Sequence, residues 1–432
     1  MKRLTAFGPF VFLAMAITSA SALETEASPD SGATAWLLTS TALVLLMTLP
    51  GLALFYGGLV RSRNVLSVLM QCFALCCIVS VLWVAFGYSV AFSGNGAAGL
   101  LGDLSKAWLR RVELGSVSGV VPETAFVMFQ LTFAIITPAL IIGGFAERTR
   151  FSAMLLFCSS WFVIVYLPVT HWVWGGGWLA DLGFRDFAGG AVVHVNAGVA
   201  ALVAALVIGN RSGFPETPML PHNLTMTVSG AGLLWVGWFG FNGGSALAAN
   251  GSAAMAILVT HVAAAAGALA WMALEWLRFR KPSVLGIATG MVAGLGTITP
   301  ASGYVGPVGA LAIGLVAGVV CFFATQTLKR TLRIDDSLDV FPVHGVGGFT
   351  GLLLTAVFSA PALGGLGLPA GVSVAKQLGV QLLGATATAA WCGVATYLLL
   401  RIVNAVVPLR VSREQENEGL DLVLHEERGY SL

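Results

Sequence analysis

The chain has 432 residues, of which 57% are hydrophobic and only 10% charged, and its mean hydropathy is +0.87. A water-soluble domain carries about a quarter charged residues, so this composition excludes one and points to an integral membrane protein. The formal net charge of +2 gives no electrostatic case for a nucleic-acid partner.

The N-terminus reads "MKRLTAFGPFVFLAMAITSASA", with Lys2 and Arg3 before a short apolar core and a small-residue site at Ala20-Ser21-Ala22. That is the pattern of a cleaved secretory signal peptide over residues 1–22, which leaves residues 23–34 as a short periplasmic N-terminus. A bilayer span needs about 20 apolar residues. Eleven stretches qualify, near 35–58, 65–92, 122–145, 152–170, 188–209, 223–242, 255–276, 284–300, 305–328, 342–359 and 374–405. The last is long enough to tilt or to project from the bilayer.

Loops after odd-numbered spans carry Arg61, Arg63, Arg148, Arg150, Arg211, Arg278, Arg280, Lys281, Lys329, Arg330, Arg333, Arg410 and Arg413. The opposite side holds only Lys106, Arg110, Arg111, Arg185 and Lys376. Basic residues favour the cytoplasmic side, so the expected topology is N-terminus out and C-terminus in. The six cysteines all fall in apolar runs, none at metal-ligand spacing with histidine, and read as buried free thiols.

Spans five and ten hold "VVHVNAGVAAL" and "FPVHGVGGFTGLL", each with one histidine among small apolar residues. Five is odd, so two five-span halves run in opposite directions. The expected fold is therefore an all-α membrane protein of about eleven helices. An inverted repeat (about 35–209 and 223–359) is followed by a long eleventh helix at 374–405, the membrane domain covering 35–407. Such repeats place a transport path near the bilayer midplane. The charged tail at 408–432 reads either as a regulatory segment or as a solvated one.

Intramembrane ionisable residues are costly and are functional candidates by default. His194 and His344 occupy matching places in the two halves and would meet near a pseudo-two-fold axis. Two neighbouring imidazoles can share one proton. His261 has no such partner and reads as a structural histidine. Asp186, ahead of "FAGGAVV", is placed to cap span five, and its charge would also favour a nearby cation. "HWVWGGGWL" puts Trp172, Trp174 and Trp178 at the outer surface, as an interfacial belt or as a cation–π site. Phe129 and Phe133 lie one turn apart in span three, and Phe239, Phe241 and Ser245 near the outer end of span six. No nucleophile–base–orienter set argues for an enzyme.

Eight segments carry a resemblance: "FYGGLVRSRNVLS", "FQLTFAIITPALIIGGFAERTRFSA", "HWVWGGGWL", "DFAGGAVVHVNAG", "GWFGFNGGSA", "TPASGYVGP", "DDSLDVFPVHGVGG" and "ENEGLD". Through them the chain closely resembles the ammonium transporters of the Amt/Mep/Rh family, the bacterial Amt branch in particular, from about Ala33 to Tyr430. The resemblance implies a cofactor-free homotrimer of eleven-helix protomers in the inner membrane, each with its own pore for ammonium or ammonia, with methylammonium as a second substrate by analogy. It implies an outer recruitment site at Trp174, Phe129 and Ser245, a gate at Phe133 and Phe241, and twin pore histidines at His194 and His344. Asp186 matches a carboxylate that supports the outer site, and Tyr166 a position beside the outer vestibule. The tail resembles one that docks a PII-type nitrogen-regulatory protein. Leu131 and the "NGGS" sequence depart from the family pattern without removing a chemical side chain. An electroneutral ammonia channel and an ammonium sensor acting through a PII-type partner are the alternative functions.

Overall fold

The computed structural model describes residues 28–94, 96 and 99–431, so the signal-peptide reading of 1–22 lies outside the described residues. Among the described residues, eleven helical segments are long and apolar enough to cross a membrane. They are Ser31–Leu59, Ser62–Phe92, Glu123–Phe145, Phe151–Asp181, Gly190–Ile208, Leu224–Gly243, Gly251–Phe279, Val284–Ala301, Pro307–Thr331, Phe341–Phe358 and Val374–Val406, referred to below as spans one to eleven. A helix satisfies every backbone group within one segment, which is why a bilayer selects it.

Several ends fall where capping side chains put them rather than where hydropathy fades. Span one starts at Ser31 because the Asp30 carboxylate accepts the Ala33 N–H at 2.6 Å. Span seven starts at Gly251, four residues before its apolar run suggests, because Asn250 Oδ1 accepts the Ser252 and Ala253 N–H groups. The only strands among the described residues are Val117–Ser118 and Val121–Pro122, a small hairpin between spans two and three.

Packing follows the repeat. Span one packs on three as six does on eight, two on three as seven on eight, two on four as seven on nine, and three on five as eight on ten. The two central spans exchange contacts reciprocally, the helical body of each lying on the histidine-bearing turn of the other. Their closest approach is at Gly198 and Gly345. A Cβ on Gly198 would stand 2.2 Å from the Gly345 nitrogen and 2.3 Å from its Cα. Only glycine permits that approach, the usual role of small residues between membrane helices. Span eleven packs on spans four, five and ten, outside the repeat.

The cysteine expectation needs a correction. All six thiols are unpaired, but Cys77 is exposed and Cys76 half-buried. Cys76 packs partly against the core, whereas Cys77 lies with Phe73 and Val81 on the face of span two that turns away from it, so an apolar run there does not by itself mean burial. The tail, in turn, is not left free in solvent. Asp421 accepts the Leu66 and Ser67 N–H groups at 3.1 and 2.7 Å, and Asn64 Oδ1 accepts the Leu420 N–H. Tyr430 meets His222, whose other ring nitrogen bonds the Val60 carbonyl.

The loops after spans one, three, five and nine meet on one face through a buried ion network. Arg211 donates to Asp335 and to Glu147, and Glu147 also takes Arg61 at 2.9 Å. Burial alone would raise the Glu147 carboxyl, but Arg211 and Arg61 hold it down to about 2. Asp335 is likewise held at about 2 against burial, by its hydrogen bonds and charge pairing with Arg211. Arg148, fully buried, donates to the Gly144, Ala146, Gly209 and Asp335 carbonyls and to Ser337. A buried charge persists only when its donors are satisfied in this way.

Candidate functional site

Both central spans begin with a wide, π-helical turn rather than an ordinary α-turn, at Gly190–Val195 and Phe341–Gly345. Such turns re-aim side chains and occur often at functional sites. Here they carry His194 and His344. The two Nδ1 atoms lie 3.2 Å apart and the rings stack at 5.2 Å with 20° between their planes. Both side chains are buried. At that distance one Nδ1 donates and the other accepts, so the neutral pair holds two different tautomers. His194 Nε2 has no protein partner among the described residues.

Asp186 fixes the start of span five. One carboxylate oxygen accepts the Gly189 and Gly190 N–H groups at 2.8 and 2.6 Å, and the other those of Ala191 and Val192 at 2.7 and 3.3 Å. Gly189 has φ of +118°, a conformation that favours glycine. The Asp186 carbonyl accepts the Trp174 indole N–H at 2.9 Å, which sets the plane of that ring. One residue therefore shapes both the outer aromatic wall and the turn that carries His194.

Three cavities follow one another past the phenylalanine and histidine pairs, named outer, middle and inner after the topology expected from the sequence. The outer one, of about 280 Å³, is lined by Phe126, Gln130, Phe133, Trp174, Phe187 and Ser245 among others. The middle one, of about 10 Å³, is lined by Ile136, Val193, His194, Trp238, Phe241 and His344 among others. That is room for one water-sized molecule. The inner one, of about 100 Å³, is bordered by Tyr56, Lys329, Asp339, Val343 and His344. Phe133 borders the outer cavity and Phe241 the middle one, with ring centroids 4.3 Å apart. His344 borders both the middle and inner cavities.

The candidate residues thus fall together with two exceptions. Phe129 is fully buried behind Phe133, with ring centroids 5.0 Å apart, and Phe126 and Gln130 line the outer cavity in its place. Tyr166 is buried and stacks on Phe162 at 5.8 Å, away from all three cavities. Ser245 Oγ donates to the Phe241 carbonyl at 2.8 Å, which leaves its lone pairs free to accept. His261 stacks on Trp235 at 5.2 Å on the far side of span six.

Sequence reasoning passed over Trp238. Its ring stacks on His194 at 5.5 Å and its indole N–H donates to Thr299 at 2.9 Å. The only signal was its place in "GWFGFNGGSA", among aromatics that otherwise read as packing.

Residues 35–430 match the family model "Ammonium Transporter Family". An ammonium transporter of Aquifex aeolicus is 47% identical over 429 residues, covering 98% of this chain and 99% of its own length. One of Bacillus subtilis is 45% identical over 402 residues, covering 92% and 98%. Among solved structures, one titled "Sensor Amt Protein" superposes with a TM-score of 0.85 at 30% identity, covering 91% of this chain and 98% of its own. Saccharomyces cerevisiae Mep2 superposes with a TM-score of 0.81 at 37% identity, covering 90% and 89%. With eleven spans, two reciprocally packed halves and this match over nearly its whole length, the chain is a multi-pass membrane protein that belongs to the ammonium transporter family.

Proposed function

We propose that the protein splits ammonium at the outer cavity and passes ammonia and a proton separately to the cytoplasm. The observation that carries this is the order of the cavities, with a closed phenylalanine pair and then an imidazole pair between two wider chambers. In the outer cavity Trp174 offers a π face to the cation and Ser245 a hydroxyl acceptor. Moving a bare small cation into a medium of low dielectric costs on the order of 20 kcal/mol in the Born limit. The middle cavity is apolar apart from the imidazoles, so K⁺ and Na⁺ are rejected. Ammonium escapes the cost because it can give up its proton near Phe133 and Phe241.

Neutral ammonia then fits the middle cavity, where His194 and His344 supply polar contacts. The shared Nδ1 proton makes the pair a relay, in which a proton taken at one Nε2 moves the central proton across and frees one at the other ring. Asp186 supports this by holding Trp174 and the His194 turn in place. Phe129 backs the gate, and Tyr166 packs span four against the outer half of the path.

The asymmetry of Arg and Lys supports an inner-membrane orientation with the N-terminus outside and the C-terminus in the cytoplasm. The resemblance supports a homotrimer and a PII-type regulator at the inner face. The docked tail favours regulation, because Tyr430 binds His222 beside the loop residues Met219 and Pro221 that border the inner cavity.

The test is an ammonium concentration jump on reconstituted protein, read as current, with K⁺ and Na⁺ jumps as controls. A transient positive current for ammonium alone is expected. Ammonia entry above protein-free liposomes without current would favour an electroneutral channel, and neither signal would favour a sensor acting through its partner.

A further inference from the structure

The inner cavity contains a charged pair that the pathway described above does not use. Lys329 Nζ, at the end of span nine, lies 2.8 Å from Asp339 Oδ2, just before span ten. Both side chains are mostly but not fully buried, 29% and 22% exposed. Asp339 has φ of +62°, in the left-handed region. Its carbonyl accepts the Val343 N–H, one residue from His344. Asp339 Oδ1 has no protein hydrogen-bond partner among the described residues. The same cavity is bordered by His344, and at about 100 Å³ against about 10 Å³ for the middle cavity it has room for several waters or one hydrated ammonium ion.

A lysine side chain ends in an alkylammonium group, chemically a tethered relative of ammonium, with the same charge and N–H donors. We propose that Asp339 is an exit site for ammonium and small alkylammonium cations, and that Lys329 is its built-in competitor. The inference rests on the transport reading, in which ammonia and a proton recombine on the inner side. A tether keeps the lysine at an effective concentration of at least millimolar beside the carboxylate. Released ammonium must displace it to bind, so the site stays weak for product and the pore mouth clears. Without the lysine, a carboxylate bordering an apolar pore would hold the product.

The test uses full-length protein in right-side-out proteoliposomes preloaded with increasing unlabelled ammonium. Initial uptake of ¹⁵N-ammonium gives the internal concentration that halves the rate. Lys329→Gln is expected to lower that concentration about tenfold or more. Lys329→Arg, which keeps the charge, is expected to stay within about twofold of native. Asp339→Asn is expected to raise it, and Lys329→Gln to have no further effect in that background. A Lys329→Gln value within twofold of native would overturn the proposal, as would a shift that persists in the double variant. If Lys329→Gln fails to fold, an unchanged value in Asp339→Asn alone overturns it equally. Native protein that takes up no label at zero internal ammonium would refute the transport reading itself, a result distinct from an unchanged internal effect.

Discussion

Replacing Asp186 separates two roles that one carboxylate can play. In the native protein four backbone N–H groups end on its two oxygens, three of them within 2.8 Å. Hydrogen bonds to an ionised group contribute about 1.5–3 kcal/mol each, and a buried donor left unmade costs about 1–3 kcal/mol. The four share one cap and do not add in full, so Asp186→Ala is expected to cost about 3–6 kcal/mol. Asp186→Asn keeps one carbonyl oxygen for Gly189 and Gly190 but turns an NH₂ group towards the Ala191 and Val192 donors. It is expected to cost roughly half as much. Chemical unfolding in detergent measures both, and ammonium-jump currents run in parallel. Transport should fall in the order native, Asn, Ala, together with stability. If both variants stay within about 0.5 kcal/mol of native yet carry no current, Asp186 acts on the cation by its charge, and the capping argument fails.

Three further outcomes follow from the packing and the charges. Glu147 and Asp335 sit at about 2 in the folded protein, below their ordinary values, so they stabilise it fully above about pH 4.5 and lose that effect as pH falls towards 2. An acid unfolding titration should therefore show its steepest loss between those values, and Glu147→Gln should flatten it; an unchanged slope would contradict the network's role. Gly198→Val would drive a side chain into Gly345 and prise the two imidazoles apart. The overpacking costs about 1–3 kcal/mol, and ammonium flux should drop more than tenfold in protein that still assembles; native flux would show that the close approach is dispensable. Asp421→Ala leaves the Leu66 and Ser67 amides uncapped, at a cost of about 1 kcal/mol, and should speed tryptic cleavage at the exposed Arg413. An unchanged cleavage rate would mean that other contacts hold the tail.

Much of this architecture was legible in the amino-acid order. Hydropathy located all eleven spans, because a bilayer leaves a one-dimensional imprint on the chain. The paired histidines could be matched because each half repeats the same small-residue setting. What escaped depends on three dimensions. Arg211 binds Glu147 and Asp335 across 64 and 124 positions, and no local pattern links loops so far apart. Phe129 and Phe133 differ by a single turn, yet of the two only Phe133 borders one of the three cavities described, and hydropathy cannot tell the two faces of a wholly apolar helix apart. The tail's polar composition suited solvent equally well, and its binding shows only in contacts across the fold, such as the Leu66 and Ser67 N–H groups on Asp421, the Leu420 N–H on Asn64 and Tyr430 on His222.

The central claim is that ammonia crosses the histidine cavity as a neutral molecule while its proton crosses beside it. The most direct measurement is the charge moved per nitrogen delivered, from integrated current and ¹⁵N-ammonium uptake in the same proteoliposomes. The account predicts about one positive charge for each nitrogen, with no current for K⁺ at the same concentration. Nitrogen uptake with no accompanying charge, or an equal current for K⁺, would contradict it.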